Sequence, residues 1–266
     1  MEFSGTAAGV PYLAVPPKGN RPDAPVVVGY HMLDAPRTEA AFAAAVPLTG
    51  LDAWKIYFGL PMSGARLPAG GPEELRRLIM QDPVLNVHRD VTLGAAREFP
   101  EAYAAVRARL GIEPGVPLGI MGGSMGGAAG QLVLAEARAT VGVFINPVVR
   151  FRETIDALSV IYGVEYVWTP EADAVADRVD FVHRADDLTH AAIRYLTGAD
   201  DMVDAIIEPV RQVVPELEKR GATVDWQVIP GMAHALADQP GTEPAPQTPH
   251  AAEVDRLAVE WFRRYL

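Results

Sequence analysis

Apolar and polar positions along the chain fall into two periods. Short runs that are almost wholly apolar, bounded by Gly, Pro or Asp, read as buried strands: Pro25-Val26-Val27-Val28-Gly29-Tyr30, Trp54 to Leu60, Val116 to Met121, Val141 to Val148 and Ala191 to Leu196. Thr223 to Ile229 alternates with period two, as a strand with one wetter face does. Helical stripes lie between them. Ala95 to Leu110 sets Phe99, Tyr103, Val106 and Leu110 on one face, and Ala128 to Ala139 and Glu208 to Arg220 are further helical runs. In the last helix Val254, Leu257, Ala258, Trp261, Phe262 and Tyr265 share a face, while Arg256, Glu260, Arg263 and Arg264 lie mostly elsewhere. That is a docking face for a sheet rather than a membrane anchor. Apolar strands separated by helices predict an α/β architecture, with a mostly parallel central sheet flanked by helices on both faces. The first fifteen residues predict a short antiparallel edge pair. Pro16 to Pro25 and Pro240 to Pro249 are proline-rich loops, so residues 1–266 read as a single domain.

Composition narrows the function classes. The chain of 266 residues is 49% hydrophobic, enough for a large core, and it has no cysteine. A disulfide framework, a thiol nucleophile and a thiolate metal site are therefore excluded. The net charge of −11 argues against nucleic acid and anionic membrane as partners and mildly disfavours highly anionic substrates. No apolar run has the length needed to span a bilayer, and Met1 to Thr6 carries neither a basic nor an apolar leader pattern. A cytoplasmic location is expected; a secreted mature form and assembly into a homo-oligomer stay open.

One stretch carries chemistry. Gly122-Gly123-Ser124-Met125-Gly126-Gly127 lies between the apolar run ending at Met121 and the helical run from Ala128. Strand, tight turn and helix with a serine at the apex match the G-x-S-x-G nucleophile elbow. The flanking glycines admit a strained serine backbone. The turn also sets the hydroxyl at a helix N-terminus, where developing negative charge is stabilised. A nucleophilic serine needs a base and an acid that orients the base. Asp200 and Asp201 follow the strand ending at Leu196, through Thr197-Gly198-Ala199; either is also a reasonable cap for the helical run from Asp204. His234 follows the strand ending at Ile229, through Pro230-Gly231-Met232-Ala233. An imidazole titrating near neutrality can take a serine proton and return it. His88, His183 and His190 precede or interrupt the acid region, and His250 opens the final helix.

Elbow, acid turn and late histidine, in that order and strand context, resemble the α/β-hydrolase superfamily, in particular its esterase- and lipase-like serine hydrolases. The resemblance runs from about Val26 to Leu266 and implies the α/β-hydrolase fold. It implies Ser124 as nucleophile and His234 as base. Asp201, three residues past Gly198, is the implied acid, with Asp200 the alternative. The family often has His-Gly-x after the strand ending here at Tyr30; this chain has His31-Met32-Leu33, so Met32 departs from the pattern. The implied oxyanion donors are the backbone N–H groups of Met125 and Leu33, with Met32 the alternative to Leu33. The implied activity is cleavage of a small-molecule carboxylic ester, with small to medium apolar acyl groups, and no cofactor. Thioester, amide, peptide or carbon–carbon cleavage by the same residues, and a silent binding protein on this fold, are the rival readings.

Two patterns bear on substrate. Between Val148 and Ala191 lie Phe151, Ile155, Leu158, Ile161, Tyr162, Tyr166, Val167, Trp168 and Phe181, more than a crossover helix needs. Residues from about 150 to 188 are expected to form a cap-like helical insertion, with Trp168 toward the pocket; the alternative is an ordinary crossover helix with extra turns. Met32, Met62, Met125, Met202 and Met232 all fall in loops at predicted C-terminal strand ends, where open α/β sheets bind ligands. Methionine suits a pocket of variable shape, so Met32, Met62, Met202 and Met232 are expected pocket residues, with gap-filling under the loops as the alternative. Asp34, Arg37 and Glu39 are expected to cap and decorate a helix from Thr38 to Val46. No dinucleotide fingerprint and no HExxH is present, and His183, Asp186, Asp187 and His190 are not expected to hold a metal.

Overall fold

In the computed structural model, which describes residues 2–163 and 165–266 and the side chains of all of these except Ile161 and Tyr162, the apolar runs pair into one sheet of eight strands. They are β1 (Phe3–Ala7), β2 (Val10–Val15), β3 (Val26–Tyr30), β4 (Trp54–Phe58), β5 (Leu118–Gly123), β6 (Val141–Ile145), β7 (Ala192–Gly198) and β8 (Val224–Ile229), in the spatial order β1-β2-β4-β3-β5-β6-β7-β8. β1 pairs antiparallel with β2, and β2 antiparallel with β4; every other pairing is parallel. β3, β4, β6 and β7 are buried along their whole length, which requires cover on both faces.

That cover is divided. Helices α1 (Glu39–Ala45) and α8 (Pro249–Tyr265) pack one face, where Phe42, Val254, Leu257, Trp261 and Phe262 join Val27, Met121 and Val143. Helices α3 (Ala95–Leu110), α4 (Ser124–Glu136) and α7 (Glu208–Lys219) pack the other, where Phe99, Val106, Leu132, Val133, Val213 and Leu217 meet Val28, Ile120 and Tyr195. Thr38 and Thr248 begin α1 and α8 by accepting the N–H of Ala41 and Ala251, each at 3.1 Å, which satisfies a donor the first turn leaves free. Helix α2 (Gly71–Gln81) lies outside these layers and has no fully buried residue. Among the described residues no helix is long and apolar enough to cross a membrane.

Several boundaries differ from expectation, β5 among them, which spans Leu118–Gly123 rather than Val116 to Met121. β4 ends at Phe58 rather than Leu60. β6 ends at Ile145 rather than Val148, because Asn146 turns the backbone to a left-handed φ of 42° ahead of Pro147. β7 runs on to Gly198, two residues past its apolar run. Residues 151–188 hold two helices, α5 (Phe151–Tyr162) and α6 (Pro170–Arg178), rather than one crossover helix. Phe151, Ile155 and Phe181 are buried, and Thr154 Oγ1 donates to the Ala205 carbonyl at 3.2 Å. The Tyr166 hydroxyl donates to Asp82 at 2.9 Å, and the Trp168 indole to Asp156 at 2.9 Å. The Ile161 and Tyr162 side chains expected in this segment lie outside the described residues.

Candidate active site

The parallel strands bring their C-terminal ends to one edge of the sheet, with β5 near its middle. At the end of β5 the chain turns directly into α4, and Ser124, the first residue of that helix, has φ of 52°. A non-glycine residue there is strained, and the surroundings must over-determine it. They do so through close approach. A Cβ on Gly122 would lie 2.2 Å from the Gly126 carbonyl oxygen, and one on Gly126 would lie 2.0 Å from that of His31. The two glycines thus let strand, helix and the β3 exit touch backbone to backbone. The Val148 N–H donates to the Ser124 carbonyl at 3.1 Å, fastening the turn from the β6 side.

The next strands supply the partners. Gly198 of β7 is in register with Ile229 of β8, so the loops that follow start side by side. The Ala199 N–H donates to the Ile229 carbonyl and the Asp200 N–H to the Met232 carbonyl, each at 3.0 Å. His234 Nδ1 then meets Asp201 Oδ1 at 3.0 Å and Oδ2 at 2.9 Å, and His234 Nε2 meets Ser124 Oγ at 2.9 Å. A carboxylate only accepts, so Nδ1 carries the proton and Nε2 is left to accept from the serine hydroxyl. The Asp201 side chain has 0% exposure, while that of His234 keeps 19%, so the chain runs from a dry end to a reachable one. The Met202 N–H donates to Asp201 Oδ1 at 2.6 Å. Of the two aspartates, Asp201 meets the histidine; Asp200 points to solvent.

The β3 exit lies beside the elbow, because Tyr30 is in register with Gly122. The Met32 N–H donates to the Pro36 carbonyl at 3.2 Å, whereas among the described residues the Leu33 N–H meets no acceptor. Of the two candidate donors, Leu33 is the free one. Sequence reasoning missed what His31 does. Its Nε2 accepts the Leu60 N–H at 2.9 Å, which fixes the proton on Nδ1, and Nδ1 donates to the Met32 carbonyl at 2.6 Å. Burial pushes the ring down to about 4, so it stays a neutral strut between the ends of β3 and β4. The signal was the apolar setting: a histidine closing a buried strand bonds backbone.

The other expected residues divide. Met32 and Met232 are fully buried in the apolar layer under α8 and do not line a cleft; here the gap-filling alternative holds. Met62 and Met202 are half-buried at the strand ends, and Met125 is buried against the core. Trp168 is half-buried, with the Arg152 guanidinium 4.1 Å from its ring centre. Asp34 and Arg37 do not cap α1. Asp34 Oδ1 accepts from Gln239 Nε2 at 2.6 Å and from Arg37 at 3.3 Å, and the Arg37 N–H donates to the Gly241 carbonyl at 2.7 Å. They tie the β3 exit to the loop after His234. These bonds hold the Asp34 carboxyl below its usual range despite the opposing effect of burial. A second residue missed from sequence is Asn146, whose amide touches the backbone on both sides of the Asp201–His234 pair.

No protein-family model matches the chain, and no curated relative matches it in sequence. Solved structures match it in shape. TT1662 from Thermus thermophilus is 18% identical with a TM-score of 0.68, over 99% of this chain and 97% of that one. A cold-adapted esterase from an Arctic intertidal metagenomic library is 19% identical with a TM-score of 0.57, over 100% of this chain and 93% of that one. The acylaminoacyl peptidase of Pyrococcus horikoshii is 12% identical with a TM-score of 0.69 over 100% of this chain, which spans 41% of the peptidase. Strand order, elbow and these matches agree: the chain has the α/β-hydrolase fold.

Proposed function

We propose that the protein is a serine hydrolase that cleaves carboxylic esters through an acyl-enzyme. The observation that carries this is the hydrogen-bond chain from Asp201 through His234 to Ser124, set at the head of α4. Ser124 Oγ attacks the acyl carbon as His234 Nε2 takes its proton. The carbonyl π electrons move to the oxygen, and the N–H groups of Met125 and Leu33 receive that charge with the positive end of α4 behind them. Asp201 holds the ring in the Nδ1–H tautomer and stabilises the imidazolium. The tetrahedral centre then expels the alkoxide, which leaves with the proton from Nε2. Water, deprotonated by the same nitrogen, attacks the acyl carbon; the second tetrahedral centre breaks its bond to Ser124 Oγ, which takes the proton back from Nε2, and the carboxylic acid leaves. No cofactor enters this sequence.

Half-buried Met62 and Met202 support small to medium apolar acyl groups, with the segment around Trp168 as the outer wall of the pocket. The negative net charge supports an uncharged substrate. The test is a p-nitrophenyl ester series, together with a fluorophosphonate probe and peptide mass mapping. Label at Ser124, lost in His234→Ala, and turnover of short acyl esters are expected. A folded sample that takes no label and turns over no ester overturns the reading.

A second reading, amide or peptide cleavage by the same residues, is favoured by the shape match to the acylaminoacyl peptidase, of which this chain spans less than half. Preference for aminoacyl amides over the matching esters would replace the ester reading.

A further inference from the structure

We propose that Asn146 is a positioning residue that holds the acid and the base in one frame. This rests on the role proposed for Asp201 and His234. Asn146 lies at the exit of β6 and is fully buried. Its Nδ2 donates to the carbonyls of Ala233 and His234, each at 3.0 Å, and its Oδ1 accepts the Gly198 N–H at 2.7 Å. Its own N–H donates to the Leu196 carbonyl at 2.8 Å. One short side chain thus spans three loops: its own, the turn that leads to Asp201 and the loop that carries His234. The amide orientation is unambiguous, because the flipped amide would set its donors against the Gly198 N–H and its acceptor against two carbonyls.

The junction it fills has no slack. A Cβ on Gly198 would lie 2.1 Å from the Met232 carbonyl oxygen, so the acid strand and the histidine loop already touch through backbone alone. Asn146 itself has φ of 42°, a conformation asparagine tolerates better than most side chains. A fully bonded buried amide at a strained position has one arrangement, and here that arrangement fixes the distance between the Gly198 turn and the His234 backbone. None of its bonds reaches a substrate or a reacting atom, so its effect passes through the orientation of the imidazole.

The role separates from plain structural support by what changes when the amide is removed. Asn146→Gly relieves the backbone strain and deletes all three side-chain bonds. Asn146→Asp keeps shape and acceptor but turns the two donors into an oxygen facing two carbonyls. If the glycine variant does not fold, the aspartate variant decides. Two readouts apply: ester turnover, and the downfield proton resonance of His234 Nδ1–H bonded to Asp201. A positioning role predicts kcat lower by about 100-fold with KM changed less than about threefold, as misplacement of a reacting group by about 1 Å does. It also predicts a shifted or broadened Nδ1–H resonance. Unchanged kcat per folded molecule and an unchanged resonance, with only a lower melting temperature, would overturn it. Wild-type protein that shows the resonance but hydrolyses no ester would sink the functional reading, and the resonance in the variants would still decide the role of Asn146.

Discussion

Asp201, His234 and Ser124 are framed by buried, uncharged contacts, whereas the segment from Phe151 to Leu188 is fastened at its surface largely by charged side chains. In the first region the Asn146 amide, the His31 ring and the Gly122, Gly126 and Gly198 backbone approaches set the geometry. In the second, Arg152 pairs with Asp173 and stacks on Trp168, and Arg178 pairs with Glu136, while the pair of Arg150 with Asp180 at 3.3 Å is mostly buried and lies apart from these exposed ones. Buried neutral bonds have one good geometry and no response to salt. Exposed ion pairs are each worth about 0–1 kcal/mol and are screened. The contrast is between a frame set by backbone approach and neutral hydrogen bonds and a segment whose apolar underside is buried and whose polar fastenings are mostly charged.

The largest effect breaks the chemistry and leaves the frame intact. Ser124→Ala is expected to lower kcat on the order of 10⁶-fold, His234→Ala about as much, and the double variant little further, because the residues act as one unit. Melting temperatures should stay close to wild type. Additive losses in the double variant, or a Ser124→Ala enzyme retaining a tenth of its turnover, would break the assignment.

The next effect breaks the frame itself. In Gly126→Ala the new Cβ would sit 2.0 Å from the His31 carbonyl oxygen and 2.6 Å from that of Tyr30. Both are backbone atoms and cannot swing aside, so β3 and α4 must separate. A loss of about 3–5 kcal/mol is expected, read from the urea midpoint. A comparable burden in the other region would come from truncating its buried anchors, such as Phe151, Ile155 or Phe181. A loss under about 1 kcal/mol would mean that the close approach is not enforced.

How much of this was legible in the chain depends on whether a residue acts through its neighbours in sequence or across space. The helix Ala95–Leu110 was readable from its apolar stripe, but its start was not, because helical backbone already runs through Arg89 and Gly94. Ser124 and His234 were readable because a strand, a turn and the residue type coincide. Asp201 was readable beside Asp200, and the contact of its carboxylate with His234, far off in sequence, separates them. Asn146 looked like part of a strand from Val141 to Val148, because its neighbours are apolar and its partners, Gly198 and Ala233, are remote in sequence. Met32 and Met232 looked like pocket residues from their place after strands. Both are buried in an apolar cluster built from segments remote in sequence, among them α1 and α8.

A smaller effect sharpens the comparison through pH. Burial holds His31 and His88 at about 4, against 6.5 for a free imidazole, so both stay neutral in the folded protein. As pH falls below 6.5 the unfolded chain takes up protons that the folded one refuses. The contribution is therefore complete above about 6.5 and is lost progressively down to about 4, roughly 3 kcal/mol for each ring. Among the described residues His88 Nδ1 has no partner, and the ring packs edge-on against Phe151 at 5.7 Å, so His88→Leu removes the titration without removing a bond to that nitrogen. The urea midpoint of the variant should fall less between pH 7 and 4.5 than that of wild type. Parallel curves would mean that His88 takes up its proton without unfolding.

The smallest effect tests whether the charged segment shapes the pocket at all. Arg152→Ala removes the ion pair to Asp173 and the guanidinium 4.1 Å from the Trp168 ring centre, both partly exposed. Together these are worth about 1 kcal/mol, and the ion-pair share should fade at about 0.5 M salt. Stability should therefore hardly change, and the informative quantity is KM against acyl length. If Trp168 forms the outer wall, loosening it raises KM for long acyl esters by about tenfold and leaves KM for acetyl esters within about twofold, because a short acyl group ends before the wall. A uniform rise across the series would place the effect at the frame rather than at the segment. No rise at any length would leave the two helices as scaffold for the helical segments Val203–Ile207 and Val84–His88, with specificity set by Met62 and Met202 alone.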